Sequence, residues 1–296
     1  MPNSTSPATS EMQEIVENAH QSATGACNPE NIQIGQHGAT FVDSLTKAGV
    51  QVLQPGDEAF LERQQSYWSN TARKLTPSYI LRPRSTEEVA ISIQALVTAD
   101  EKFAIRSGGH TQYAGANNIQ GGVTIDLSLL DSVEFDESSE TVSIGPGGRW
   151  SHVYGELAKH GRVVSGGRDG NVGVGGIILG GGYTFFAAKR GFACDDVVSF
   201  EVVLADGSCV TADATNNGDL FRALKGGSNN FGVVTKIKMN AIKCDKIWGG
   251  LNFFGKHLTQ NAIEALIHFT ENCHLNEDSH LLFFFTYLGK IPVIFL

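Results

Sequence analysis

A chain of 296 residues with 22 Lys plus Arg against 31 Asp plus Glu is long enough for about two domains with sizeable cores. Its net charge of −9, with no run of five like charges, excludes the basic footprint of a nucleic-acid binder. The five cysteines, Cys27, Cys194, Cys209, Cys244 and Cys273, are scattered and form no CxxC pair, so neither a disulfide framework nor a metal site is indicated.

The first predicted element is a short helix at the N-terminus, where Ser10 and Gln13 form a capping-box pattern and Met12, Ile15, Val16 and Ala19 follow helical spacing. The thirty residues that contain it have no basic n-region and no apolar h-region, so an intracellular, cytoplasmic protein is expected. The polar segment that follows reads as linker. Residues 78–83 and 102–106 read as strands on either side of a helix opened by the capping box Ser85 and Glu88. In that helix Val89, Ile93, Leu96 and Val97 make one apolar stripe, and the whole reads as a βαβ unit. Residues 122–127 predict another strand and 133–145 a hairpin.

From Gly145 to Gly182 there are 14 glycines in 38 residues, interrupted only by a helical pattern at 149–161. Glycine at that density weakens any regular element, yet the interspersed Val and Ile have the character of buried residues, which points to a loop lining a ligand. A hairpin across Asp206-Gly207 follows within 197–212, then a short helix at 218–227 and an alternating strand at 231–242. Beyond Cys244 the character changes, with a helix around Ile263, Leu266 and Ile267 and the apolar run LLFFFTY at 281–287. No apolar stretch reaches the roughly 18 residues of a membrane span; the nearest, 281–296, is broken by Lys290 and Pro292. Its first half reads as a core strand that the final residues GKIPVIFL would leave short of partners.

A second glycine-rich run, RSGGHTQYAG at 106–115, surrounds His110. Successive N–H groups in such a turn form a concavity for anions, and a bound molecule can approach bare backbone there. Simple decoration of a surface loop is the alternative for the histidine. A nicotinamide-binding Rossmann motif fails on spacing, because GxGxxG from Gly173 would require glycine where Ile178 stands. No Walker lysine motif is present either.

Four segments in order, SYILRPRSTEEVA, IRSGGHTQYAG, SGGRDGNVGVGGIILGGG and DLFRALKGGSNNFGVVT, resemble the FAD-binding domain of the vanillyl-alcohol-oxidase and p-cresol-methylhydroxylase (PCMH) superfamily, closest to berberine-bridge-enzyme-like oxidases. The resemblance implies an α+β fold, a PCMH-type FAD-binding domain of two α/β subdomains at 50–245 (core 77–242). It also implies an N-terminal extension at 1–49 and the beginning of a substrate domain at 246–296. By resemblance, the loop Arg106, Ser107, Gly108, Gly109, His110 and Thr111, closed by Gly115, cradles the FAD pyrophosphate, and His110 bonds to the flavin 8α-methyl. A neutral imidazole nitrogen suits such a bond.

The resemblance further sets Val172, Gly173, Gly175 and Gly176, with Gly180, Gly181 and Gly182, close to the isoalloxazine and pyrophosphate, and Gly232 and Val234 at the adenosine end. Asp195, Asp196 and Val197 follow the flavin-facing loop. Many members add a cysteinyl link to flavin C6, but Asp169 occupies that position, so one covalent attachment is expected. Cys194 is expected to be a small buried hydrophobe.

The implied activity is hydride transfer from a small alcohol, amine or phenolic substrate to FAD, with dioxygen as acceptor and secondary metabolism as the setting. Among Tyr113, Tyr183 and His152, no residue stands out as the base, and no catalytic residue is assigned. Family members continue for well over a hundred residues past this point, so a truncated product is expected. A catalytically inactive flavin-binding fragment is the alternative to an oxidase.

Overall fold

Short β-rich runs and amphipathic helices make two main sheets here, and the computed structural model describes them over residues 36–244, 246–288 and 291–295. Helix α1 (Gln36–Lys47) and strand β1 (Gln51–Leu53) are followed by helices α2 (Glu58–Gln65) and α3 (Asn70–Arg73). Strand β2 (Tyr79–Arg82), helix α4 (Thr86–Thr98), strand β3 (Phe103–Arg106) and strand β4 (Val123–Asp126) complete a sheet of order β1-β2-β4-β3. The expected strand–helix–strand order is present, but β2 and β3 are not neighbours. Strand β4 lies between them, parallel to both, and all four of its residues are buried, as a central strand requires.

The second layer begins with the hairpin β5 (Val133–Asp136) and β6 (Thr141–Ile144), then helix α5 (Trp150–Ala158), strand β7 (Arg162–Val163), and helices α6 (Val174–Leu179) and α7 (Ala187–Arg190). Strands β8 (Val197–Val203) and β9 (Cys209–Asp213) turn through Gly207 at φ +80°; helix α8 (Gly218–Leu224) and strand β10 (Val233–Asn240) follow. These strands form an antiparallel sheet of order β5-β6-β10-β8-β9, while β11 (Ile242–Lys243) pairs with β7. Its core packs Trp150, Val153 and Leu157 of α5 and Ile178 of α6 against Ile144, Phe200 and Ile237.

Helix α4 joins the layers. Val89, Ile93 and Leu96 pack with Leu81 and Ile125 of the first sheet and with Val203 and Val233 of the second. Val97, at the edge of the predicted stripe, is 54 % exposed instead. Ser85 Oγ accepts from Glu88 N as the capping box requires, but the Glu88 carboxylate turns one residue back and accepts from Arg84 N.

The expected linker is corrected in part, since α1 buries Phe41, Val42 and Leu45 against the first core. Its apolar positions are too few to stand out, and tertiary packing sustains it. The helix predicted from Ser10 lies outside the described residues. A second correction concerns the glycine-rich stretch, where α6 forms despite Gly175 and Gly176 because Val174 and Ile178 are fully buried beneath it.

At the C-terminal end, β12 (Phe253–Gly255), helix α9 (Thr259–Glu271), β13 (Phe284–Leu288) and β14 (Ile291–Phe295) give a sheet of order β12-β14-β13. The final residues therefore supply β13 with its partner, contrary to the reading that they leave it unpaired. The core-strand expectation fails on the side chains: Phe284, Phe285 and Tyr287 are 52 %, 58 % and 70 % exposed. Each residue of β13 is paired with β14 along one edge, while its faces find no covering layer among the described residues. No helix among them is long and apolar enough to cross a membrane.

Candidate flavin site

The run after β3 starts from a buried anchor. Arg106 donates from Nη1 to the Arg63 carbonyl at 2.6 Å and from Nη2 to Ser66 Oγ at 2.7 Å, with its Cζ 3.8 Å from the centre of the Tyr67 ring. Asp126 at the end of β4 accepts two bonds from Arg63, at 2.7 and 3.1 Å, and lies 3.7 Å from Arg106. Arg106 thus fixes the base of the loop from below.

Above that anchor the two glycine-rich runs touch backbone to backbone. A Cβ on Gly108 would stand 2.5 Å from the Gly173 nitrogen, and one on Gly173 would stand equally close to Gly108. Ser107 Oγ, donating to the Pro146 carbonyl at 2.6 Å, ties the same junction to the second layer. The purpose of these two glycines is to let the layers meet. Gly176 differs, since a Cβ there would meet no atom within 4 Å.

Between the layers lies a cavity of about 280 Å³. Ser107, Gly108, Gly109, His110 and Thr111 line one side, Val172, Gly173, Gly175 and Gly176 another, and Gly232 and Val234 a third. Arg106, Gly115 and Gly181 lie outside it, and Gly180 and Gly182 line a neighbouring cavity. Asn117 and Pro146, which lie outside the matching segments, join the lining, as do Ser228 and Asn229 from the fourth segment, which no site assignment had singled out. For Asn117 and Pro146 the only signal in the sequence is turn-forming composition.

No Lys, Arg, Asp or Glu lines this cavity, so recognition of an anion falls to the backbone. The N–H groups of Gly108, Gly109, His110 and Thr111 donate to no protein acceptor among the described residues. Asn117 Oδ1 is buried and also without a partner, while its Nδ2 donates to the Thr111 carbonyl at 3.3 Å. Where such groups are buried, as at Gly108, Gly109 and Asn117 Oδ1, they cost stability unless something satisfies them, and at His110 and Thr111 they stand open to a ligand. A row of N–H donors beside bare glycine fits a diphosphate carried by a flat molecule.

His110 stacks on Trp68 with ring centres 6.0 Å apart and planes 18° from parallel. Partial burial, then the Arg149 guanidinium, holds its imidazole below the ordinary range, against the opposing pull of Asp169 and the Asn171 backbone. The ring is therefore neutral near pH 7, the nucleophilic form. Arg149 is itself held in place, with Nη1 donating to the Asn171 carbonyl at 2.7 Å.

The neighbouring cavity shares Val172, Gly176 and Ile177 with the first and adds Arg168, Asp169 and Tyr183, closed by Leu282 and Phe284 from the C-terminal segment. The other candidate bases lie on the surface, Tyr113 being 79 % exposed and His152 half-exposed beside Glu156. Asp196 is buried and structural, accepting from Ser165 and from both Nε and Nη2 of Arg190, while Asp195 accepts from Phe192 N. Cys194 is buried as expected, and burial pushes its thiol up.

Two sheets that clasp a glycine-lined cavity with backbone donors define a domain for a flat diphosphate-bearing cofactor. A family model described as an FAD binding domain matches residues 77–213. The chain is 44 % identical over 243 residues to the FAD-dependent monooxygenase drtC of Aspergillus calidoustus, which covers 81 % of this chain and 46 % of that protein. The 6-hydroxy-D-nicotine oxidase of Arthrobacter nicotinovorans superposes with a TM-score of 0.73 at 26 % identity, covering 83 % of this chain and 54 % of the other. For glucooligosaccharide oxidase from Acremonium strictum the TM-score is 0.72 at 25 % identity, over 86 % and 53 %. Residues 77–213 are thus an FAD-binding domain of the PCMH type, similar to those of berberine-bridge-enzyme-like proteins. It spans about half the length of the curated relatives it matches.

Proposed function

We propose that this chain is the flavin-holding part of an FAD-dependent oxidoreductase that oxidises a small organic molecule, with FAD attached through His110. Forming that bond removes one hydrogen from the 8α-methyl and one from the imidazole, the two electrons passing through the flavin to dioxygen. The observation that carries the reading is the convergence of four unpaired N–H groups, the orphaned Asn117 Oδ1 and a neutral imidazole on one glycine-lined cavity. When bound, FAD accepts a hydride from the substrate and passes the electrons to dioxygen.

The protein's part is placement. Residues 108–111 bind the diphosphate through backbone N–H, the open face at Gly176 admits the flat ring, and Arg149 with the partly buried setting keeps His110 unprotonated for bond formation. The flavin-binding part is taken as 50–245, with the substrate side beginning at 246. The glucooligosaccharide oxidase carries a 6-S-cysteinyl, 8α-N1-histidyl FAD. Here Asp169 stands at the position that resemblance gives to the cysteine, and a carboxylate forms no thioether, so the histidyl bond is the single attachment.

Purified protein is expected to be yellow and to keep its colour through acid precipitation, with His110→Ala losing colour at that step. Release of the flavin from the unsubstituted protein on precipitation contradicts the covalent bond.

A second reading is a flavin-binding chain without turnover. It is favoured by one observation: among the described residues the only carboxylate lining either cavity is Asp169, and besides His110, which the flavin bond would occupy, the exposed phenol of Tyr183 is the remaining candidate base there. Peroxide release from flavin-loaded protein across a panel of alcohols, amines and phenols separates the two readings. Production with any of them favours the enzyme.

A further inference from the structure

Arg168 is a cation facing a cavity with no carboxylate paired to it. No ion pair joins it to any acid among the described residues, and Asp169, the one acid lining the same cavity, instead accepts from Asn171 N at 2.8 Å. Its Nη1 lies 3.1 Å from His280 Nε2. A guanidinium has only donors, so Nε2 must accept, which leaves His280 neutral with its proton on Nδ1. Partial burial and the Arg168 charge hold the His280 imidazole below its ordinary range, in agreement with that tautomer.

The arrangement is built from the middle of the chain and its C-terminal segment. His280 sits against the rings of Tyr183 and Phe185, each with centres 5.4 Å away, and Lys189 holds the approach to it through Asp278 at 2.9 Å. Arg168 lies over the Tyr183 ring at 4.9 Å. The walls beyond it are apolar, with Val172, Ile177, Leu282 and Phe284. A partly desolvated guanidinium with free N–H groups, set in an apolar cleft, is a receptor for a planar oxyanion on an apolar body.

We propose that this second cavity takes an acidic substrate, a carboxylate or ionised phenol on an apolar ring, with Arg168 pairing with its oxyanion and His280 positioning Arg168. The inference rests on the oxidoreductase reading for the word substrate, while the oxyanion site itself can be tested without turnover. Arg168 has donors to spare: one N–H engages His280, and those on the far side of the fork can meet two oxygens at once. His280 spends its acceptor on the guanidinium and thereby keeps the fork from swinging into solvent.

Calorimetric titration of the full chain with benzoate, in parallel with the uncharged isostere benzamide, tests this. Benzoate is expected to bind at least about tenfold more tightly than benzamide, and Arg168→Gln to abolish that preference. Arg168→Lys, which keeps the charge but loses the fork, should retain part of it, and His280→Leu should weaken benzoate by a few fold while leaving benzamide unchanged. Equal affinities for benzoate and benzamide, or a preference that survives Arg168→Gln, would overturn the proposal. Following the flavin absorbance in the same titration keeps the two readings apart. Colourless protein that still prefers benzoate speaks against FAD and for the oxyanion site, whereas yellow protein without the preference does the reverse.

Discussion

The two cavities share the wall Val172, Gly176 and Ile177 but present opposite chemistries. The first offers backbone N–H groups and bare glycine, and of its lining side chains only His110 titrates. The second offers Arg168, Asp169 and Tyr183 against apolar walls. A cofactor common to many proteins can be held by main chain, which any sequence supplies, provided that the loops come close enough. A particular substrate needs side chains. Substitutions should accordingly be most severe where the loops of the first cavity touch and milder wherever a wall faces open space.

The largest effect is expected at the contact between loops. Gly108→Val places a side chain where the Gly173 backbone already is, and neither main chain can yield without parting the layers. Overpacking of this kind costs about 1–3 kcal/mol or more, and flavin uptake should vanish together with a clear fall in Tm. Gly176→Ala divides the same wall differently, because its Cβ meets only open space. Within α6 that change even favours the helix, by up to about 1 kcal/mol. Unchanged or raised Tm with weakened flavin uptake is the expected pair of readouts; a loss of Tm would show that Gly176 also serves packing.

A smaller and purely chemical effect is expected around His110. Bond formation needs the neutral ring, whose protonation lies below the ordinary imidazole value of about 6.5. The rate of covalent incorporation should hold constant down through neutral pH and fall only once the medium is more acidic than that value. Removing the nearby cation with Arg149→Gln raises the His110 affinity for protons and should move the midpoint to higher pH. A midpoint unmoved, or moved to lower pH, would refute the electrostatic role. Least affected of all should be Val97→Ala on the exposed edge of α4, within about 0.5 kcal/mol of the parent stability by denaturant titration.

Much of this was legible before the fold was known, for reasons that differ between elements. Strands such as 122–127 and the hairpin at Asp206-Gly207 are written locally, in β-branched runs and in a turn that wants positive φ. The loop from Ser107 to Thr111 was legible because close backbone approach leaves glycines behind. Helix α6 was not, since nothing local favours a helix through Gly175 and Gly176, and only burial of Val174 and Ile178 sustains it. Asn117 and Pro146 belong to separate connections that the sheets bring together, so no spacing announces them, while Ser228 and Asn229 sit in a matching segment whose glycines and strand drew the assignment instead. Arg106 matched the motif for a different reason, as a buried anchor on Asp126, Tyr67 and the Arg63 carbonyl. The apolar run at 281–287 predicted a strand correctly and its burial wrongly, because pairing depends on the backbone while burial depends on what covers the faces.

The most direct test of flavin held by His110 is intact-mass analysis followed by peptide mapping of protein denatured after purification with FAD. The expected result is a mass increase of one FAD less two hydrogens, with the modified peptide containing His110 and no modification at any cysteine. An unmodified mass in protein that is folded and was supplied with FAD, or a modified peptide that lacks His110, would contradict it.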